Sequence, residues 1–243
     1  MPLLEVIALT VADARAAQEG GADRVEVVAD MVADGLTPDP EVVARMRQVT
    51  SLPMRVMLRA NSGFRTTGPE LDRLRRAAED LREAGADGFV LGFLDSFGNV
   101  DTAATGKIAT VVAPLPWTFH RALDHAADPA AAWPVVRDLA EGSGGADSGM
   151  DGGMDTVLTA GSPRGVDAGV ETLVRRAAED PAAAGLIMAG GGLRRKHVAV
   201  LAAAGVGKFH VGTAVRPDGS WERPVDAALV REWRTLVAAA ARD

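Results

Sequence analysis

The sequence contains no cysteine in its 243 residues. This absence excludes disulfide bonds, thiolate catalysis, zinc ribbons and iron–sulfur clusters, all of which depend on cysteine sulfur. Histidine spacings that are typical of metal sites, such as HxH or HExxH, are absent as well. The residues alone therefore predict no metal ligands.

Aromatic residues make up only 4% of the sequence, and its 26 basic residues are scattered among 33 acidic ones. Nucleic-acid binding is not expected, because it needs a concentrated basic surface. No apolar run approaches the ~20 residues of a membrane-spanning helix, so no membrane partner is expected either. The start of the chain has no basic region and carries Glu5 within its apolar run, so we predict a cytoplasmic protein without a signal peptide.

What the sequence does contain is a regular alternation of apolar strands and amphipathic helices. Apolar residues make up 47% and charged residues 24%, enough for a large core. Eight strands are predicted at residues 3–8, 25–28, 54–58, 88–92, 117–119, 156–159, 186–189 and 208–212, each followed by one helix. Eight strand–helix pairs within residues 1–243 predict a single α/β domain, a (β/α)8 TIM-type barrel. A doubly wound open sheet is the alternative, but no GxGxxG follows the first strand.

Local signals predict helix starts and an insertion. Thr10 with Asp13 predicts a capping box, and Thr37 with Pro38 predicts the N-cap and first residue of a helix that ends near Gln48. The glycine-rich run at about 142–153 joins a helix to a strand. We therefore predict a flexible insertion on the barrel face away from the chemistry.

Ionisable side chains lie at the predicted carboxyl ends of the strands, where barrel enzymes hold their active sites. Seven of them form the candidate site: Glu5, Glu26, Arg59, His120, Arg121, Asp124 and His210. The glutamates and histidines are assigned acid/base roles, and the arginines and the aspartate are assigned to ligand binding.

Two alternatives stay open for these residues. Adjacent carboxylates raise each other's pKa, whereas nearby arginines lower it, and the sequence does not decide which effect prevails. The two glutamates could also bond Arg59 and Arg121 in a buried network that only sets the strand register. His210 could be a core histidine.

A triple glycine, Gly190, Gly191 and Gly192, follows strand seven and opens a helix. Backbone N–H groups there can hold a phosphate or carboxylate, so we predict a seat for a small anionic molecule, with Thr159 in the same ligand-binding set. The alternative is a tight turn that needs glycine only for its backbone geometry. The remaining histidines are interpreted as lying outside the site, His125 in a loop and His197 on the outer face of a helix.

An ordered series of short segments resembles the CutC copper homeostasis family over nearly the whole chain. The segments are Leu-Glu-Val near the start, Gly-Gly-Ala-Asp-Arg-Val-Glu-Val at 20–27, and residues 34–38, 57–59, 119–124, 158–161, 188–192 and 209–210. The resemblance implies a TIM-type barrel, a cytoplasmic protein, a role in copper handling and a homo-oligomer.

The sequence departs from this family where copper would bind. Members commonly carry cysteine after the first two strand glutamates, where this chain has Ile7 and Val28. Binding of Cu(I) by thiolates, its preferred soft ligands, is therefore excluded. Three hypotheses remain: a protein or acid/base enzyme for a small anion, a copper ion module that uses Met57 and Met188 with the site histidines, and a non-catalytic scaffold.

Overall fold

The computed structural model describes residues 2–142 and 153–240 of the chain. Eight strands follow one another in sequence order around a closed barrel. Their bounds are β1 Leu3–Ala8, β2 Arg24–Val27, β3 Met54–Met57, β4 Gly88–Leu91, β5 Trp117–Phe119, β6 Met154–Thr159, β7 Ile187–Ala189 and β8 Lys208–Val211. The prediction of a (β/α)8 TIM-type barrel is confirmed.

Nine α-helices lie within the described residues. They are α1 Val11–Gly20, α2 Pro40–Arg47, α3 Gly68–Glu83, α4 Thr102–Val112, α5 Pro129–Gly142, α6 Val166–Glu179, α7 Pro181–Leu186, α8 Arg195–Ala203 and α9 Ala227–Ala240. None of the helices in this part of the chain is both long and apolar enough to cross a bilayer.

The prediction of a single helix after each strand is wrong between β6 and β7, where α6 and α7 both occur. Pro181 lacks the N–H that would continue α6, so it begins a new helix instead. Asp180 caps that helix, because its Oδ1 accepts a hydrogen bond from the Ala182 N–H at 2.8 Å.

Contacts divide the chain into two compact units. The first unit comprises Met1–Glu26, Arg45–Pro53 and Leu158–Asp243, and the second comprises Val27–Ala44 and Met54–Val157. The single-domain assignment stays a prediction. Of the glycine-rich insertion predicted at 142–153, residues 143–152 lie outside the described residues, so its flexibility stays a prediction too.

In the first unit, the parallel pairing of β1 with β8 sets Glu5 directly opposite His210. Helix α1 follows β1 and begins with the predicted capping box, which is confirmed. Thr10 Oγ1 accepts from the Asp13 N–H, and Asp13 Oδ2 accepts from the Thr10 N–H, both at 3.2 Å. Because side chains alternate along a strand, β1 carries its buried apolar Leu4 on one face and Glu5 on the other.

In the second unit, β3, β4 and β5 pair in parallel, with Val90 opposite Thr118. The buried rings of Trp117 and Phe119 lie on one face of β5. The alternation of side chains sets Thr118 and the next ionisable residue, His120, on the other face. The histidine therefore follows directly from the end of a buried strand.

The predicted start of α2 is wrong, because the helix begins at Pro40 and not next to Thr37. Thr37 is engaged with the strand residue Arg59 instead. Its hydroxyl donates to the Arg59 carbonyl at 3.0 Å and accepts from the Arg59 N–H at 2.9 Å, and its own N–H also donates to that carbonyl at 3.0 Å. These bonds fix the β2–α2 loop against the end of β3.

Candidate functional site

The first unit holds one cluster of candidate residues, the Glu5 cluster, formed by Glu5, Arg24, Glu26 and His210. Glu5 Oε2 accepts from Arg24 Nε at 2.5 Å, and its Oε1 lies 2.8 Å from His210 Nδ1. On the other side of the imidazole, Glu26 Oε2 lies 3.6 Å from His210 Nε2. All four side chains are buried, so each charge depends on its neighbours for stabilisation.

Electrostatics in this cluster favour the charged forms. Burial by itself would raise the pKa of Glu5, but Arg24 and His210 lower it to about 2. Burial would lower the pKa of His210, but Glu26 and Glu5 raise it above its ordinary value. For Glu5, the lowering effects of Arg24 and His210 together therefore prevail over burial, which makes this carboxylate a weak base at neutral pH.

Arg24 was not among the residues that the sequence predicted for the site. It bonds Glu5 in place of Arg59 or Arg121, the partners considered from the sequence. A signal was available, because Arg24 and Glu26 are two positions apart on β2 and therefore share one face of the strand. Arg24 Nη2 also lies 3.6 Å from the thioether sulfur of Met188.

The glycine turn after β7 belongs to the same unit. The Gly190 N–H donates to the Thr159 carbonyl at 3.2 Å, and Thr159 Oγ1 accepts from the Gly161 N–H at 3.0 Å. Gly191 and Gly192 have φ values of 88° and 77°, which favour glycine. These contacts favour the tight-turn alternative, and the anion seat predicted for this turn stays a prediction.

The second unit holds the His120 cluster, formed by Arg59, Phe64, His120, Arg121 and Asp124. The His120 side chain is 3% exposed, and its Nδ1 accepts a hydrogen bond from the Ala122 N–H at 3.3 Å. Since Nδ1 is the acceptor, the proton of the neutral ring is assigned to Nε2. That buried Nε2 has no hydrogen-bond partner among the residues that the structure describes.

His120 is held neutral by its surroundings. Burial, together with the positive charges of Arg59 and Arg121, lowers the pKa of His120 to about 3. At neutral pH the ring is therefore a hydrogen-bond donor through Nε2–H, and its acid/base role stays a prediction.

Arg59 is buried and surrounded by backbone oxygens. Each of its guanidinium nitrogens donates to at least one carbonyl, from Ala33, Asp34, Gly35, Ser62 and Gly63. Its guanidinium carbon also lies 4.5 Å from the centre of the Phe64 ring. Ligand binding by Arg59 stays a prediction, and these contacts favour a different role.

Arg121 is the more accessible arginine of the cluster. Its Nε lies 3.1 Å from Asp124 Oδ2, and its Nη1 lies 3.9 Å from Asp34 Oδ2. The Arg121 side chain is 18% exposed, whereas that of Asp124 is 1% exposed. Asp124 therefore orients a guanidinium that a ligand from solution can reach.

One further residue of this region was missed from the sequence. Phe64 packs edge-on against His120, with ring centres 5.4 Å apart, and stacks on His125 at 4.8 Å. An aromatic residue within the loop that follows Arg59 was the available signal. His197, in contrast, is buried and bonded to Asp167 at 3.1 Å, so its predicted place on an outer helix face is wrong.

No group of three or more histidine, aspartate or glutamate side chains in residues 2–142 and 153–240 is arranged to hold a metal ion.

The fold and these clusters define a TIM-type barrel protein with buried ionisable residues on its strands and just beyond their ends. The model of the CutC family matches residues 2–215. The chain is 33% identical over 213 residues to the family protein CutC of Klebsiella pneumoniae (strain 342), which covers 86% of this chain and 79% of that protein. It is 37% identical over 212 residues to the family protein CutC of Xanthomonas campestris pv. campestris (strain 8004), with 85% and 81% covered. The chain therefore belongs to the CutC family.

Solved structures agree with the fold. The chain superimposes on CutC of Streptococcus agalactiae, named for copper homeostasis, with a TM-score of 0.72 at 23% identity, over 87% of this chain and 98% of that one. A thiamine phosphate pyrophosphorylase from Pyrococcus furiosus gives a TM-score of 0.55 at 19% identity, over 98% and 96%. At these identities the likeness concerns the fold alone.

Proposed function

We propose that this CutC family protein binds a small anionic molecule, bearing phosphate or carboxylate, at the His120 cluster. The observation that carries the proposal is the buried Nε2–H of His120, which has no acceptor among the residues that the structure describes. A buried donor without a partner costs about 1–3 kcal/mol, so such groups are rare unless something else accepts from them. A ligand oxygen at Nε2 would recover that energy.

The local charge supports an anion as the ligand. Arg59 and Arg121 both lower the pKa of His120, which means that they create a positive potential at the ring. Arg121 adds a partly exposed guanidinium, the group best suited to phosphate and carboxylate oxygens. On a substrate, the same Nε2–H would polarise a carbonyl or stabilise a developing oxyanion. The enzymatic role that we propose is therefore a reaction in which negative charge develops on a substrate oxygen.

A copper role, suggested by the name of the streptococcal relative, has less support from the side chains. Without cysteine, the available soft ligand on β7 is Met188, whose sulfur lies beside the Arg24 guanidinium. Both nitrogens of His210 face carboxylates, at 2.8 Å and 3.6 Å. A cation next to the sulfur and occupied imidazole nitrogens both disfavour Cu(I). The cytoplasmic location, the homo-oligomer and the absence of nucleic-acid and membrane partners stay predictions.

The proposal is tested by screening phosphorylated sugars and small di- and tricarboxylates for thermal stabilisation, followed by calorimetry on the compounds that stabilise. We expect His120→Ala to weaken the binding of such a compound about tenfold, the equivalent of one hydrogen bond. His197→Ala is the matched control, because it also removes a buried histidine but lies in the first unit. Equal losses in both variants, or no stabilising anion for the natural chain, would refute the proposal.

A further inference from the structure

We propose that Arg59 is a positioning residue that ties two loops together around His120 and does not itself touch the ligand. This role rests on the proposed function, because it presupposes a ligand at His120. The contacts that support it lie within the protein itself. The three nitrogens of the guanidinium donate to carbonyls at 33–35 in one loop and at 62–63 in the other. A ligand oxygen would have to displace one of these carbonyls to reach the guanidinium.

The backbone geometry of the first loop fits this role. Asp34 and Gly35 have φ values of 60° and 91°, a left-handed conformation that glycine adopts freely and aspartate more readily than most other residues. It lets three successive carbonyls face a single guanidinium nitrogen, Arg59 Nη1, at 2.9–3.2 Å. The bonds between Thr37 and the Arg59 backbone hold the same loop from its other end. The first loop is therefore fixed from both ends by bonds to Arg59.

Phe64 transmits the effect of Arg59 to His120. Its ring lies under the guanidinium at 4.5 Å and meets the imidazole edge-on at 5.4 Å. Loss of Arg59 frees the loop that carries Phe64, which admits water to the imidazole, and it also removes a positive charge. Both changes raise the pKa of His120, because burial and the Arg59 charge are what lower it.

Two substitutions separate the positioning role from a ligand-binding role. Arg59→Lys keeps the positive charge but gathers its three donors on one nitrogen, which does not span the separate positions at which Nη1 meets one loop and Nε and Nη2 meet the other. Arg59→Gln removes the charge as well. Arg121→Gln is the control, because that side chain is the arginine that we assign to the ligand.

The measurement is amide hydrogen exchange by NMR on the ligand-free protein. The reporting amides are those of Thr37 and Leu94, which donate to the carbonyls of Arg59 and Phe64. We expect both Arg59 variants to accelerate their exchange about tenfold or more, whereas Arg121→Gln does not. The Val25 amide, bonded to Pro53 in the first unit, stays unchanged and shows that the fold is intact.

A second readout is the titration of the His120 ring by NMR between pH 4 and pH 8. We expect no titration of the natural chain in this range, because the pKa of His120 is lowered to about 3, and we expect Arg59→Gln to bring the midpoint into it. The inference would be overturned if the Thr37 and Leu94 amides of Arg59→Lys exchanged as slowly as those of the natural chain. It would also be overturned if the His120 ring of Arg59→Gln stayed neutral over this pH range. Because both readouts use ligand-free protein, they can succeed or fail independently of the ligand screen.

Discussion

Replacing Glu5 with glutamine should destabilise the protein by about 3 kcal/mol at pH 7. The estimate comes from the lowering of the Glu5 pKa from its ordinary 4.5 to about 2, at ~1.4 kcal/mol per pKa unit. Glu5 is fully buried, so solvent does not screen the interaction. The variant leaves Arg24 and His210 buried without the Glu5 carboxylate, and breaking a buried ion pair is costly because one charge stays behind.

The direction of the pKa shift determines how the loss of stability in Glu5→Gln changes with pH. A carboxyl group whose pKa is lower in the folded state stabilises the fold above the unfolded-state pKa, and this stabilisation is lost as the pH falls through the folded-state pKa. For Glu5 these limits are 4.5 and about 2. The difference in unfolding free energy between the natural chain and Glu5→Gln should therefore be complete at pH 7 and should narrow progressively below pH 4.5.

Urea unfolding at a series of pH values from 7 down to 3 measures this difference, provided that the m-value is unchanged. The control is the double variant Glu5→Leu with Arg24→Leu, which removes both charges of the buried pair. It should cost less than Glu5→Gln alone, because a buried pair is replaced by apolar groups and no arginine is left without a partner. A loss below about 1 kcal/mol at pH 7, or a difference that stays constant down to pH 3, would refute the reasoning.

Two further predictions concern the His120 cluster and copper. Gly92→Ala would place a Cβ 3.0 Å from His120 Nδ1 and 3.1 Å from the Phe119 ring, so we expect a loss of ~1–3 kcal/mol and weaker ligand binding. Gly106→Ala, in α4 with nothing within 4 Å, should instead be stabilising, and equal melting temperatures for the two variants would contradict this account. In an anaerobic titration against a chromophoric Cu(I) chelator, we expect no competition. Stoichiometric binding that weakens in a Met57→Leu, Met188→Leu double variant would restore copper as the function.

The barrel could be predicted because its signals are local. Short apolar strands separated by amphipathic helices recur along the chain, and the order of the strands in the barrel is their order in the sequence. The capping box at Thr10 depends on two residues that are three positions apart. Thr37 also satisfied a local rule, but its hydroxyl bonds Arg59, 22 positions away. A long-range bond of this kind cannot be inferred from a capping preference.

The partners within the site could not be predicted for the same reason. The strand-end rule named Glu5 and His210, but their contact joins residues 205 positions apart and depends on the register of β1 against β8. The sequence alone does not fix that register. The sequence also shows where the arginines are, but it does not show which carboxylate or carbonyl each guanidinium binds. Arg24 was therefore missed, and Arg59 was assigned to a ligand although its guanidinium donates to backbone oxygens.

Glu5 and His120 differ in how their polar atoms are matched, and this difference supports a structural role for Glu5 and the proposed ligand-binding role for His120. Arg24 and His210 balance the charge of Glu5 through direct contacts, so a ligand entering there would have to break interactions worth several kcal/mol. In the His120 cluster, the backbone fixes one nitrogen of the imidazole and leaves the other as a buried donor. Folding alone gains nothing from such a donor, whereas binding does. A variant series should therefore show the larger stability losses at Glu5 and the larger affinity losses at His120.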